Sequence, residues 1–109
     1  MIYLKNGHSI TIGNAGALAS RTHVSYADVS GATLDGSSAI VTSSATTYNV
    51  ATYAAAGTRN VRLVTVSNDG ASAGVFTISH NTGATTAPIG KALLQPGQVL
   101  IYSENGGVQ

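Results

Sequence analysis

No stretch of this chain strings together enough good helix formers to sustain an amphipathic helix, because glycine, serine, threonine and β-branched residues recur every few positions. Short strands are what remain. Asn6-Gly7 separates the apolar segments 2–4 and 9–12, and the pair suits a tight hairpin because both residues tolerate positive φ. Residues 22–29 set His23, Ser25 and Ala27 against Thr22, Val24 and Tyr26, which predicts a half-buried strand with Val24 and Tyr26 inward. Gly31 and Asp35-Gly36 break that strand over 30–38, and weaker strands follow at 39–43 and 46–51, the second with Tyr48 and Val50 on one face. Residues 53–59 read as a loop, since Gly57 stops the short alanine run.

The strongest element is 60–67, where Val61, Leu63 and Thr65 alternate with Arg62, Val64 and Val66. Its two faces are both largely apolar, so it belongs at the centre of a sheet. Asn68-Asp69-Gly70 is a turn, and 73–80 returns as the expected hairpin partner of 60–67. A polar loop at 81–87 leads to a strand at 88–94, Pro96-Gly97 fills the central positions of a type II turn, and 98–103 is the last strand. The spacing predicts an all-β fold, a small antiparallel β-sandwich or barrel forming a single domain over residues 21–109. Residues 1–20 read as an N-terminal arm or edge strands.

Ala, Gly, Thr and Ser make up 54 of the 109 residues, and only 8% are charged against about 25% in an ordinary domain. Hydroxyls, amides and backbone must therefore cover the surface. A net charge of +1 from scattered basic residues does not suit a nucleic-acid partner, which calls for clustered Lys and Arg. No apolar run approaches the ~20 residues of a membrane-spanning helix, and the first residues lack the basic-then-apolar order of a leader. The chain thus reads as soluble, unprocessed and without a membrane partner. With no Trp, one Phe and no Cys, the core of a lone copy is thin and unstapled, so burial against identical neighbours is expected.

Catalytic vocabulary is sparse. Of the four carboxylates, Asp35 and Asp69 precede glycines in turn signatures, while Asp28 and Glu104 flank strand ends with no pattern pairing them. His8, His23 and His80 lack the spacing that sets two imidazoles on one face around a metal, and His23 is the first to inspect. No serine sits in Gly-x-Ser-x-Gly, no phosphate-binding glycine loop occurs, and Asn68-Asp69-Gly70 offers too few oxygens for calcium. The expectation is a protein that is not an enzyme, with no cofactor, metal or small-molecule substrate. Tyr26, Tyr48 and Tyr102 fall on inward faces, and Tyr3 or Tyr53 would have to supply any exposed sugar-stacking pair. Arg59 and Arg62 suit inter-subunit ion pairs or carbonyl contacts. Together with Ile2, Tyr3 and Leu4 at the N-terminal edge, they are the candidate contacts with neighbouring subunits of an assembly.

Several stretches resemble small structural proteins of tailed bacteriophages: His23-Val24-Ser25-Tyr26-Ala27-Asp28-Val29-Ser30, Ile40-Val41-Thr42-Ser43-Ser44-Ala45-Thr46-Thr47 and Ala55-Ala56-Gly57-Thr58-Arg59-Asn60-Val61. Val64-Thr65-Val66-Ser67-Asn68, Val75-Phe76-Thr77-Ile78 and Leu94-Gln95-Pro96-Gly97-Gln98-Val99-Leu100-Ile101-Tyr102 continue the likeness, which covers roughly residues 22–107. The resemblance implies a β-sandwich virion component that works by assembly. Similar chains run on with another strand after Glu104-Asn105-Gly106-Gly107, so here a last strand is expected to be missing or supplied by a neighbour. In role, the resemblance implies a capsid decoration or cement protein, made in the host cytoplasm and carried on the outer surface of the head. Its partners are then the major capsid protein and copies of itself, in a trimer. The alternative is a tail or fibre component that binds a receptor or glycan.

Overall fold

The computed structural model describes residues 2–14, 16–30, 33–53, 57–103 and 107–108. Among them the chain is all-β. The strands are β1 (Ile2–Leu4), β2 (His8–Asn14), β3 (Ser20–Ser30), β4 (Thr33–Ser43), β5 (Thr47–Tyr53), β6 (Thr58–Asn68), β7 (Gly74–Asn81), β8 (Thr86–Leu94), β9 (Val99–Ser103) and β10 (Gly107–Val108). They make two antiparallel sheets packed as a small β-sandwich in one domain. The larger sheet runs β10-β9-β6-β3-β4 with β1 also on β6, and the smaller runs β5-β2-β7-β8.

Alternation decides which side chains enter the core. Val24 from β3, Val61, Val64 and Val66 from β6, and Leu100 from β9 face Ile10 and Ile12 of β2 and Phe76 and Ile78 of β7, all fully or almost fully buried. The phase of β6 changes once. Ser25 pairs with Leu63 but Tyr26 pairs with Val61, so Arg62 is an extra residue in the ladder. That bulge turns both Val64 and Val61 inward and leaves Arg62 exposed. One edge of β6 is shared on either side of it: β9 covers Leu63–Ser67, while β1 covers Arg59, Asn60 and Val61.

Three sequence expectations change here. Asn6-Gly7 reverses the chain, with Gly7 at φ 85, yet β1 and β2 belong to different sheets and make no hairpin. The same holds for β6 and β7, expected as a hairpin across Asn68-Asp69-Gly70; β6 pairs with β1, β3 and β9, and β7 with β2 and β8. In both cases the turn crosses from one sheet to the other, because the apolar faces of the flanking strands are buried against each other. Asp35-Gly36 is no turn either. Both residues lie inside β4, whose ladder with β3 holds all eleven positions in register, and that continuous pairing overrides local turn preference. Gly31, the other expected breaker, lies outside the described residues.

Residues 1–20 read as an arm or edge strands, and the described part of that segment is built into the sandwich. Ile2 and Leu4 are core side chains, and β2 is an interior strand between β5 and β7, so only β1 lies at a sheet edge. The strand at 60–67 is interior as expected and extends over Thr58–Asn68, taking Thr58 and Arg59 from the expected loop; residues 54–56 of that loop lie outside the described residues. At Pro96-Gly97 the turn forms as read, with Gly97 at φ 86 and the Gln98 N–H donating to the Gln95 carbonyl at 3.0 Å. After β9 the chain adds the two-residue β10, paired through Gly107 with Ser103 and Val108 with Tyr102.

Candidate functional site

The two ends of β6 each carry a polar clamp between the sheets. At the start of the strand, Arg59 lies opposite Asp28 of β3 in register. Its Nε and Nη2 donate to the two Asp28 carboxylate oxygens at 2.8 and 3.0 Å, and Nη1 donates to the Thr52 carbonyl of β5 at 3.0 Å. The guanidinium also stacks over Tyr26 at 4.0 Å and lies 5.2 Å from the Tyr53 ring. The hydrogen bonds to Asp28 push the Arg59 pKa up, and partial burial opposes that rise. Arg59 is therefore a permanent cation, with three of its N–H donors bonded within the chain.

At the far end Asn68 is fully buried, and its amide is satisfied on both sides. Nδ2 donates to the carbonyls of Ser72 and Leu94 at 2.9 Å each, and Oδ1 accepts the Gly70 N–H at 2.9 Å. Nearby, the Tyr48 hydroxyl of β5 meets Ser20 Oγ at 2.7 Å and Thr22 Oγ1 at 2.8 Å on β3. Asn14 Oδ1 accepts the Leu18 N–H at 2.6 Å. These groups join backbone and hydroxyls across the sandwich and hold no reactive pair.

Of the five candidate contact residues, the structure exposes two. Tyr3 is 54% exposed on β1, and Arg62 is exposed at the bulge. Ile2 and Leu4 alternate into the core, and Arg59 is committed to Asp28, Thr52 and the two tyrosines. Tyr53 is buried, so Tyr3 does not gain it as an exposed aromatic partner. Asp28 is held by Arg59, while Asp69 meets Arg21 at 3.3 Å and accepts from Ser67 Oγ at 3.1 Å. Glu104 lies outside the described residues. His23 stands half-buried on the larger sheet, while His8 and His80, far apart in sequence, come within hydrogen-bonding distance at 3.2 Å.

Exposed apolar side chains gather on the outer face of the larger sheet. Ladder pairing sets Ile40, His23, Thr65 and Ile101 in one row across β4, β3, β6 and β9, and Thr42, Arg21, Ser67 and Val99 in the next. Ile40, Val99 and Ile101 are 68%, 44% and 37% exposed. The opposite sheet carries a shallow groove of about 350 Å³, lined by Gly13, Thr46, Thr47, Val75, Thr77 and Lys91 among others. It offers one cation and several hydroxyls, with no acid or base beside them. Among the described residues no three His, Cys, Asp or Glu side chains are grouped to hold a metal ion.

These features define a class: an antiparallel β-sandwich whose polar clusters tie its own sheets together and whose larger outer face carries apolar side chains. No protein-family model matches the chain, and neither a curated protein nor a solved structure matches it.

Sequence reasoning missed the intrachain use of Arg59 and the His8–His80 pair. Residues 31 and 72 positions apart in the chain carry no local signal of contact. The register of β3 on β6 and of β2 on β7 creates both.

Proposed function

We propose that this chain is a structural protein of a bacteriophage virion, a capsid decoration or cement protein that docks on the outside of the assembled head. It acts without catalysis, with the major capsid protein and further copies of itself, as a trimer, for partners. The observation that carries the reading is the band of Ile40, Val99 and Ile101 on the outer face of the larger sheet, set among hydroxyls, the imidazole of His23 and the Asp69-paired Arg21. Covering such a face strips water mainly from apolar and hydroxyl groups, and the one guanidinium among them, that of Arg21, already has Asp69 as its counter-charge. The likeness of residues 22–107 to small phage structural proteins supplies the kind of assembly.

Counting copies tests the reading directly. Purified particles are expected to carry hundreds of copies, on the scale of the major capsid protein. A dozen or fewer would overturn decoration and favour the tail or fibre role, for which the exposed Tyr3 is the one supporting observation. Ile40→Asp, a substitution on an exposed side chain, is expected to leave folding within about 0.5 kcal/mol while abolishing attachment to particles. Unchanged attachment would remove this face from the docking surface.

A further inference from the structure

His8 opens β2, and His80 lies near the end of β7, opposite Ile10 in the ladder. Tyr53, the last residue of β5, pairs with His8 on the other side. His8 Nδ1 and His80 Nε2 are 3.2 Å apart, with ring centroids separated by 5.1 Å and ring planes inclined at 61°. Neither ring takes part in the core packing or in the sheet clamps.

A single N–H···N hydrogen bond accounts for the 3.2 Å separation, but a straight bond of that length would set the centroids ~5.5 Å apart, since each lies ~1.1 Å behind its nitrogen. Two imidazole nitrogens that each stand ~2.0–2.1 Å from one ion at a tetrahedral angle are ~3.3 Å apart, with centroids ~5.2 Å apart. The observed 3.2 and 5.1 Å lie within about 0.2 Å of these chelate values; a bent hydrogen bond reaches the same distances, so the pair already stands at chelating separation without either ring having to move. The geometry points to His8 Nδ1 and His80 Nε2 as a paired chelate for a borderline divalent transition-metal ion such as Zn²⁺, with water filling the remaining positions.

The chemistry of the pair agrees. Imidazole suits Zn²⁺, Ni²⁺ and Cu²⁺ and is a poor ligand for Mg²⁺. Both rings are only partly buried, so an ion and its water can reach them. Desolvation, with the neighbouring His8 adding to it, lowers the pKa of His80 and so favours the neutral ring that a metal needs. Among the described residues no third ligating side chain joins the pair, which makes the site exchangeable rather than structural. The inference does not depend on the assembly role.

The test is zinc chloride added to the full-length chain without an affinity tag, near neutral pH, read by calorimetry and by thermal unfolding. One equivalent is expected to bind and to raise Tm in a concentration-dependent way. His8→Gln and His80→Gln should each weaken binding at least tenfold, with His23→Gln and magnesium chloride serving as silent controls. In the wild-type chain the His8 Nδ1 and His80 Nε2 NMR signals should shift on zinc addition, a readout that needs no variant to fold. The site is overturned by an absence of heat and Tm change up to millimolar zinc, by binding that survives both substitutions, or by a response unaltered at pH 5, where free imidazoles are protonated.

Discussion

The two ends of β6 solve one problem in opposite ways. Asn68 and Arg59 both reach across from the larger sheet to a backbone carbonyl of the smaller one, Leu94 in the first case and Thr52 in the second. Asn68 does it neutral and fully buried, every polar atom of its amide bonded within the chain. Arg59 does it charged, at a rim where its side chain stays 17% and that of Asp28 31% exposed. Burying an unpaired charge costs several kcal/mol, whereas a satisfied amide has no such penalty. The neutral clamp can therefore be sealed inside, and the ionic one is kept where water and two tyrosine faces help to solvate it.

The largest expected effect is at the sealed end. Asn68→Ala removes three hydrogen bonds and strands the buried Leu94 carbonyl, so denaturant unfolding should show a loss of about 3 kcal/mol, with little dependence on salt. Arg59→Met leaves an unpaired Asp28 that water still reaches, and the loss should be smaller, about 1–2 kcal/mol. The gap between wild type and Arg59→Met should narrow further toward 1 M salt as the ion pair is screened. Equal losses for the two variants, or a salt-insensitive Arg59 effect, would break the contrast.

The smallest effect concerns pH and sharpens the same contrast. His80 lies at the Arg59 end of the sandwich and has a lowered pKa, so below about pH 6.5 the unfolded chain takes up its proton before the folded one does. The stability this neutral ring contributes is present at neutral pH and is lost as pH falls through the folded value. Measured with EDTA present, Tm should drop between pH 7 and pH 5, and His80→Gln should drop less. Arg59 contributes nothing to that slope, because its raised pKa keeps it charged throughout.

Much of the strand content was legible from alternation alone. The interior position of the strand around Val61–Val66, the inward Val24 and the Pro96-Gly97 turn all follow from local chemistry. What alternation does not carry is the sheet to which a turn delivers the next strand. Asn6-Gly7 and Asn68-Asp69-Gly70 mark reversals correctly, yet both connect strands of different sheets. Asp35-Gly36 shows the opposite failure, a local turn preference overruled by eleven paired residues. The candidate contacts were half legible: Tyr3 follows from simple alternation on β1, but Arg59 turns inward only because Arg62 is an extra residue in the ladder.

The sequence by itself determined that this chain is all-β, because its glycine and hydroxyl spacing leaves no room for a helix and its alternation suits pleated strands. It also determined the scarcity of charge that lets an outer face be apolar. Only the tertiary structure decided which strands share a sheet, that Arg59 closes one end on Asp28 while Asn68 closes the other, and that His8 meets His80. The physical reason is that pairing register is a long-range quantity. It is set by how two apolar faces fit together across the whole core, and no window of neighbouring residues contains it.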